Sequence, residues 1–205
     1  MAYPTVSKTY GFKPINRVDG LPYAGQTRLI PIAPGYATAI LNGDTVAINT
    51  SGYLIAKTAT NSGDSAGVLV GCQYVNSSSQ TVQGQYYPAS TSTTTNMAFG
   101  YVVDDPNAVF KVVATNGAGT TTPTAYTRAL VGSNVAITVN TGSTATGDSY
   151  YGIDGASADT TNTLPVRVID VVPDTATGPA GASATTYYEF LVKFNLHQYN
   201  DTTGI

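Results

Sequence analysis

Short apolar blocks alternate with polar turn segments along this chain, and their spacing follows strands rather than helices. Val68-Leu69-Val70-Gly71-Cys72-Gln73-Tyr74-Val75, Phe99-Gly100-Tyr101-Val102-Val103 and Val109-Phe110-Lys111-Val112-Val113 are β-branched and aromatic runs separated by Gly, Pro, Asn and Asp, the pattern of consecutive strands in an antiparallel sheet. We read the stretch from Val68 to Val112 as the core of the domain. Before it, Ala39-Ile40-Leu41, Thr45-Val46-Ala47-Ile48 and Tyr53-Leu54-Ile55-Ala56 are joined by Asn42-Gly43-Asp44 and Asn49-Thr50-Ser51-Gly52, a β-meander with glycine where positive φ is needed. After it come the alternating Asn134–Val139, Leu164–Val172 and Tyr187–Leu196; in the last, Phe190, Val192 and Phe194 share one face and Glu189, Leu191, Lys193 and Asn195 the other. This predicts eight to ten strands in an all-β fold, an antiparallel β-sandwich or barrel with few or no helices, a short helix near Thr124 or over Asp154–Thr160 being the exception. Ser/Thr blocks do not recur at a fixed spacing, which excludes a solenoid.

Residues 1–34 break the pattern. They hold Pro4, Pro14, Pro22, Pro31 and Pro34, five of the eleven prolines, a density that forbids a helix and disfavours central strands. Yet Tyr3, Tyr10, Phe12, Ile15, Leu21, Tyr23, Leu29 and Ile30 make the segment too apolar for a solvated tail. The expectation is an extended N-terminal arm whose apolar residues bind a partner, the alternative being an arm folded back over its own domain. Residues 35–205 then form the β-sandwich or barrel domain, as one unit or as two lobes divided near residues 114–125. Deleting residues 2–34 is expected to leave a folded domain that no longer binds.

Composition narrows the partners. Only 10% of the 205 residues are charged, the formal net charge is −3 and fifteen of the twenty aromatics are Tyr. A weakly charged, Tyr-rich exterior suits a chain packed against copies of itself or another protein, and nine basic residues spread singly give no stripe for nucleic acid. No run approaches the length of a membrane span, and Met1-Ala2-Tyr3-Pro4-Thr5 has neither a basic nor an apolar leader region. Cys72, inside an apolar run, reads as a buried inert thiol, and His197 has no acid near it in sequence. Asp104 and Asp105 alternate across a strand and precede Pro106, so they open a turn by accepting backbone N–H bonds rather than converge on a substrate. Asp148, Asp154 and Asp159 match no calcium-loop pattern, and no nucleophile elbow or phosphate loop is present. The expectation is a non-enzyme with no cofactor and no metal.

Gly11-Phe12-Lys13-Pro14, Gly67-Val68-Leu69-Val70-Gly71-Cys72-Gln73-Tyr74, Tyr87-Pro88-Ala89, Ala98–Pro106 followed by Phe110, Leu164-Pro165-Val166-Arg167-Val168-Ile169 and Val192–Gln198 form an ordered set that resembles the head-decoration, or cement, proteins of tailed bacteriophages. The Thr/Ser/Gly-rich second half departs from that pattern. The resemblance implies a structural virion protein, made in the bacterial cytoplasm, that binds the outer capsid surface as a trimer or dimer and stabilises it by bridging neighbouring subunits of the major capsid protein, with no nucleic-acid or membrane partner. Two other classes share the composition. One is a tail-fibre or receptor-binding β-domain, with Tyr86, Tyr87, Tyr150 and Tyr151 stacking on carbohydrate; the other is a self-assembling shell or filament subunit.

Overall fold

Twelve strands and one 3-10 turn account for the regular structure in a computed structural model that describes residues 6–58, 63–172 and 189–200. The strands are β1 Lys13–Arg17, β2 Arg28–Ile32, β3 Thr45–Ile48, β4 Leu54–Ala56, β5 Gly67–Val75, β6 Thr81–Gly84, β7 Ala98–Val103, β8 Ala108–Thr115, β9 Asn134–Thr138, β10 Gly152–Asp159, β11 Val166–Val171 and β12 Glu189–Phe194. The chain is all-β, as its apolar spacing requires. The expected helix near Thr124 is a single 3-10 turn, Arg128–Leu130, capped by the Thr127 hydroxyl. Over 154–159 the chain is strand instead: β10 pairs with β9 through a register shift between Asp154 and Asp159, and the Asp154 carboxylate accepts the Ala156 and Gly117 N–H groups.

The strands close into two rings. In the first, β2 pairs with β7, β7 with β5, β5 with β3, β3 with β4, and β4 returns to β2 in parallel; β6 is a hairpin extension of β5. In the second, β8 pairs with β12, β12 with β11, β11 with β9, β9 with β10, and β10 returns to β8 in parallel. Closure removes most free sheet edges. Each ring encloses its own core: Ile30, Ile32, Val46, Leu54, Leu69 and Val102 in the N-terminal barrel, and Phe110, Val112, Val135, Ile153, Val168, Phe190 and Val192 in the C-terminal one.

These two barrels have one topology. Taking β2, β3, β4, β5 and β7 against β8, β9, β10, β11 and β12, every pairing and every direction corresponds, including the single parallel closure. Even the irregularity corresponds. β5 carries an extra residue against β7 between Leu69 and Gly71, and β11 carries one against β12 between Val168 and Asp170. Superposing the pairings aligns Val46 with Val135 and, upstream, Ala39–Ile48 with Arg128–Ile137, where Leu, Gly, Val, Ala and Ile are identical. Leu41 and Leu130 are both buried. Gly43 and Gly132 hold φ of +96° and +92°, the left-handed turn that feeds each hairpin and that only glycine enters without strain.

The division between barrels therefore falls at the β7–β8 turn, residues 104–107, rather than near 114–125, and the Val68–Val112 stretch spans both units. The arm boundary at residue 34 also moves. Pro14 and Asn16 of β1 pair with Phe110 and Val109 of β8, and Arg28–Ile32 pairs residue for residue with Ala98–Val102. Immediately before β1, Phe12 is fully buried, stacked on Phe194 at 5.8 Å and edge-on to Phe110 at 6.3 Å. Proline does not prevent this, because Pro14 lies in β1, which ends the C-terminal sheet order. From the other end, His197 bridges to Ser65 and the Gln198 amide pairs with both backbone groups of Ile48. The N-terminal segment thus supplies a strand to each sheet, while the segment after β12 ties down the first barrel.

Candidate docking surface

Three of the apolar residues expected to bind a partner, Ile15, Leu21 and Leu29, remain at the surface, on β1, on the turn that follows it and on β2. Gly20 N–H donates to the Arg17 carbonyl and Arg17 N–H to the Leu21 carbonyl, and Asn16 bridges to Pro22, so residues 16–22 form a tight hairpin. A bulge between Pro14 and Asn16 leaves Ile15 without a partner on β8, and it is 39% exposed. Val18 and Leu21 follow at 50% and 56%, and Leu29 on β2 is 50% exposed. Single exposed aliphatics are ordinary; four on one short segment are not.

Adjacent aspartates pin this segment to the body. Arg17 lies 3.2 Å from Asp105 and 3.1 Å from Asp19, and Arg28 lies 2.8 Å from Asp104. The Tyr199 ring stacks 4.6 Å from the Arg28 guanidinium. The Asp104-Asp105 pair does open a turn: Asp105 accepts the Asn107 N–H at 2.8 Å. Its second task, holding the start of β2 and the end of β1 side by side, was not readable from the sequence, because Arg17 lies 88 residues upstream of Asp105 and Arg28 76 residues upstream of Asp104. These pairs neutralise the charges around the aliphatic residues. Beneath the hairpin, Arg17, Leu21, Pro22, Tyr23 and Asp105 line a cavity of about 240 Å³; Tyr23 is half-buried there and donates to the Gln26 carbonyl.

The other expected binding residues do structural work. Phe12 and Ile30 are core. Tyr10 donates to the Glu189 carboxylate, which also meets Lys111 at 3.2 Å; burial first, then the Glu189 contact, pushes its phenol far above the usual range. Tyr3 lies outside the described residues. The expected carbohydrate cluster divides as well: Tyr87 is fully buried and Tyr151 6% exposed, their hydroxyls donating to the Tyr36 and Lys57 carbonyls, so neither can stack on a sugar.

A second set of titratable groups is buried away from the surface. Asp44 is 4% exposed and accepts the Leu41 N–H; desolvation pushes its carboxyl up to about 6, against the pull of hydrogen bonds from Ser149 and Leu41 and of the Lys13 charge. Lys13 in turn donates to Asn42 at 2.7 Å. His197 is 2% exposed, and burial holds its imidazole down at about 4. Cys72 is fully buried and donates to the Tyr86 carbonyl, its thiol pushed up to about 11 by burial. Asp154 and Asp159 accept local backbone N–H groups in separate turns and Asp148 accepts from the distant Gln85 side-chain amide, and no group of three potential metal ligands occurs among the described residues. No helix is long and apolar enough to cross a membrane among them. No protein family, characterised protein or solved structure matches the chain.

Proposed function

We propose that this is a capsid-decoration protein that sits on the outer surface of a bacteriophage head and bridges neighbouring capsid subunits. The observation that carries the reading is the set of exposed aliphatic residues Ile15, Val18, Leu21 and Leu29, on β1, its following hairpin and β2, beside arginines whose charges are already paired. Burying these side chains against a partner is favourable and leaves no unpaired charge on docking. The low charge of the whole chain and its resemblance to cement proteins support the same reading.

The contact differs in kind from a flexible staple. Residues 13–32 are held in both barrels, so these side chains are presented on a rigid backbone and docking orders little chain. Modest contacts repeated over a lattice add through avidity. Replacing Leu21 and Leu29 with Ser tests this on capsids assembled without the chain. Both residues are half exposed, so folding should change by less than about 1 kcal/mol, while capsid affinity should fall at least about tenfold. Unchanged affinity in a folded double variant would remove these residues from the interface.

A further inference from the structure

On the N-terminal barrel, away from the docking hairpin, the β5–β6 turn and the loop after Tyr87 enclose an open groove of about 480 Å³. Its lining contains no Asp, Glu, Lys, Arg or His. Tyr74 and Pro88 supply flat apolar faces, and Ser77, Ser79, Ser90 and Asn96 supply hydroxyls and an amide. Among the described residues, none of the side-chain polar atoms of Tyr74, Ser77, Ser79, Ser90 or Asn96 has a hydrogen-bond partner in the chain.

Both walls are rigid. On one side Asn76 accepts the Ser78 and Gln80 N–H groups at 2.9 and 3.0 Å and closes the turn. On the other, the buried Tyr87 hydroxyl accepts from Thr91 and Ser92 at 3.2 and 3.0 Å while donating to the Tyr36 carbonyl, and the Thr91 hydroxyl donates to the Pro88 carbonyl. The backbone carries a further mark. Ser79 and Ser90, at φ of +59° and +58°, are the non-glycine residues in left-handed conformation among those described, and both line this groove. Strain of that kind collects at ligand sites.

We infer that this groove binds a neutral saccharide. An uncharged lining excludes recognition of phosphate, sulfate or carboxylate, which needs cations or converging N–H donors. Hydroxyls and an amide that each donate and accept match a ligand equally dense in hydroxyls. The Tyr74 ring and the Pro88 face match the apolar face of a pyranose, and the volume holds one or two sugar rings. This site shares no residue with the exposed aliphatic set, so it stands whether or not the chain decorates capsids.

The test is an NMR titration of the full ¹⁵N-labelled chain with maltose, lactose and the N-acetylglucosamine dimer, each to about 20 mM since shallow neutral sites bind in the millimolar range, and with the tripeptide Gly-Ser-Asn. Saturable shifts at residues 74–79 and 88–96 with at least one sugar, and none with the peptide, are expected. Asn96→Ala and Tyr74→Phe each remove polar contacts while leaving the ring packing in place, and should weaken that sugar by about three- to tenfold with unchanged spectra elsewhere. Absence of shifts with all three sugars, shifts confined to other residues, equal shifts with the peptide, or undiminished affinity in both variants would overturn the assignment.

Discussion

Replacing Phe12 with Ala should be among the most damaging single changes in the chain. The ring is fully buried, 5.8 Å from Phe194 and 6.3 Å from Phe110, and these two rings lie 5.3 Å from each other, so the three form one aromatic cluster inside the C-terminal barrel. Truncating a buried Phe costs about 3–5 kcal/mol through lost transfer energy and the cavity left behind. Each lost ring pair adds about 0.5–1.5 kcal/mol, only partly additive because the rings share neighbours. A loss of about 4 kcal/mol is therefore expected, a large part of the 5–15 kcal/mol typical of a domain. The assay is equilibrium urea unfolding with tyrosine fluorescence and circular dichroism recorded together. Ile15→Ala is the internal control: three residues away but 39% exposed, it should cost less than about 0.5 kcal/mol. Should Phe12→Ala fail to fold, Phe12→Leu keeps most of the volume and should cost about 1–2 kcal/mol. If Phe12→Ala lies within about 1 kcal/mol of the parent, or if both substitutions are equally silent, the N-terminal segment is not part of the core and the integration of β1 argued above is wrong. On the same grounds, deletion of residues 2–34 removes β1 and β2 from both sheets and should unfold the chain rather than leave a binding-deficient domain.

The interior carboxyl and imidazole pull stability in opposite directions with pH. The raised Asp44 value, about 6 against about 4 for a solvated aspartate, means that the folded state holds the extra proton between those values, so its contribution is lost as pH rises through 6; at about 1.4 kcal/mol per pH unit that is about 3 kcal/mol. The lowered His197 value, about 4 against about 6.5, means that the unfolded state holds the extra proton, so a similar contribution is lost as pH falls from 6.5 towards 4. Asp44→Asn should make the urea midpoint climb from pH 4.5 to 7, and His197→Gln should make it decline over the same interval; parallel profiles for both variants would contradict the assignment. Cys72 should react with a thiol-specific disulfide reagent only on unfolding, at least about 10³-fold slower in the native state given its burial and raised pKa. Gly43→Ala and Gly132→Ala should each cost about 1 kcal/mol or more, since both demand left-handed backbone, and Gly43 the more because a Cβ there meets Tyr10 and Phe12 backbone atoms at 3.2–3.3 Å.

Strand identity was legible wherever one face of a strand is buried. Phe190, Val192 and Phe194 point inward as their alternation requires, and β3 and β4 pair across the expected turn. Sheet membership was not legible, because β7 and β8 are joined by a short turn yet belong to different barrels, and local periodicity says nothing about which long-range partner a strand takes. Ala39–Leu41 illustrates the same limit: it reads as a strand but makes only an isolated bridge, Ile40 to Tyr87. The shared topology has a counterpart in Leu41-Asn42-Gly43-Asp44-Thr45-Val46-Ala47-Ile48 and Leu130-Val131-Gly132-Ser133-Asn134-Val135-Ala136-Ile137, but one match at one spacing is not a period. In the N-terminal segment the apolar residues were found and their roles were mixed: composition separates neither Phe12 in a core from Leu21 at a surface, nor an arm from two strands in different barrels. The saccharide groove gave no sequence signal, since its Ser, Thr and Asn residues read as loop.

The central claim is attachment to a capsid lattice, and the most direct measurement is the number of chains bound at saturation to capsids assembled without this protein, with the temperature at which those capsids rupture recorded before and after. Decoration predicts saturation at a copy number fixed by the lattice symmetry, in the hundreds for a typical head, and a raised rupture temperature through many added contacts. Absence of binding, or a handful of copies at one vertex with rupture unchanged, would contradict it.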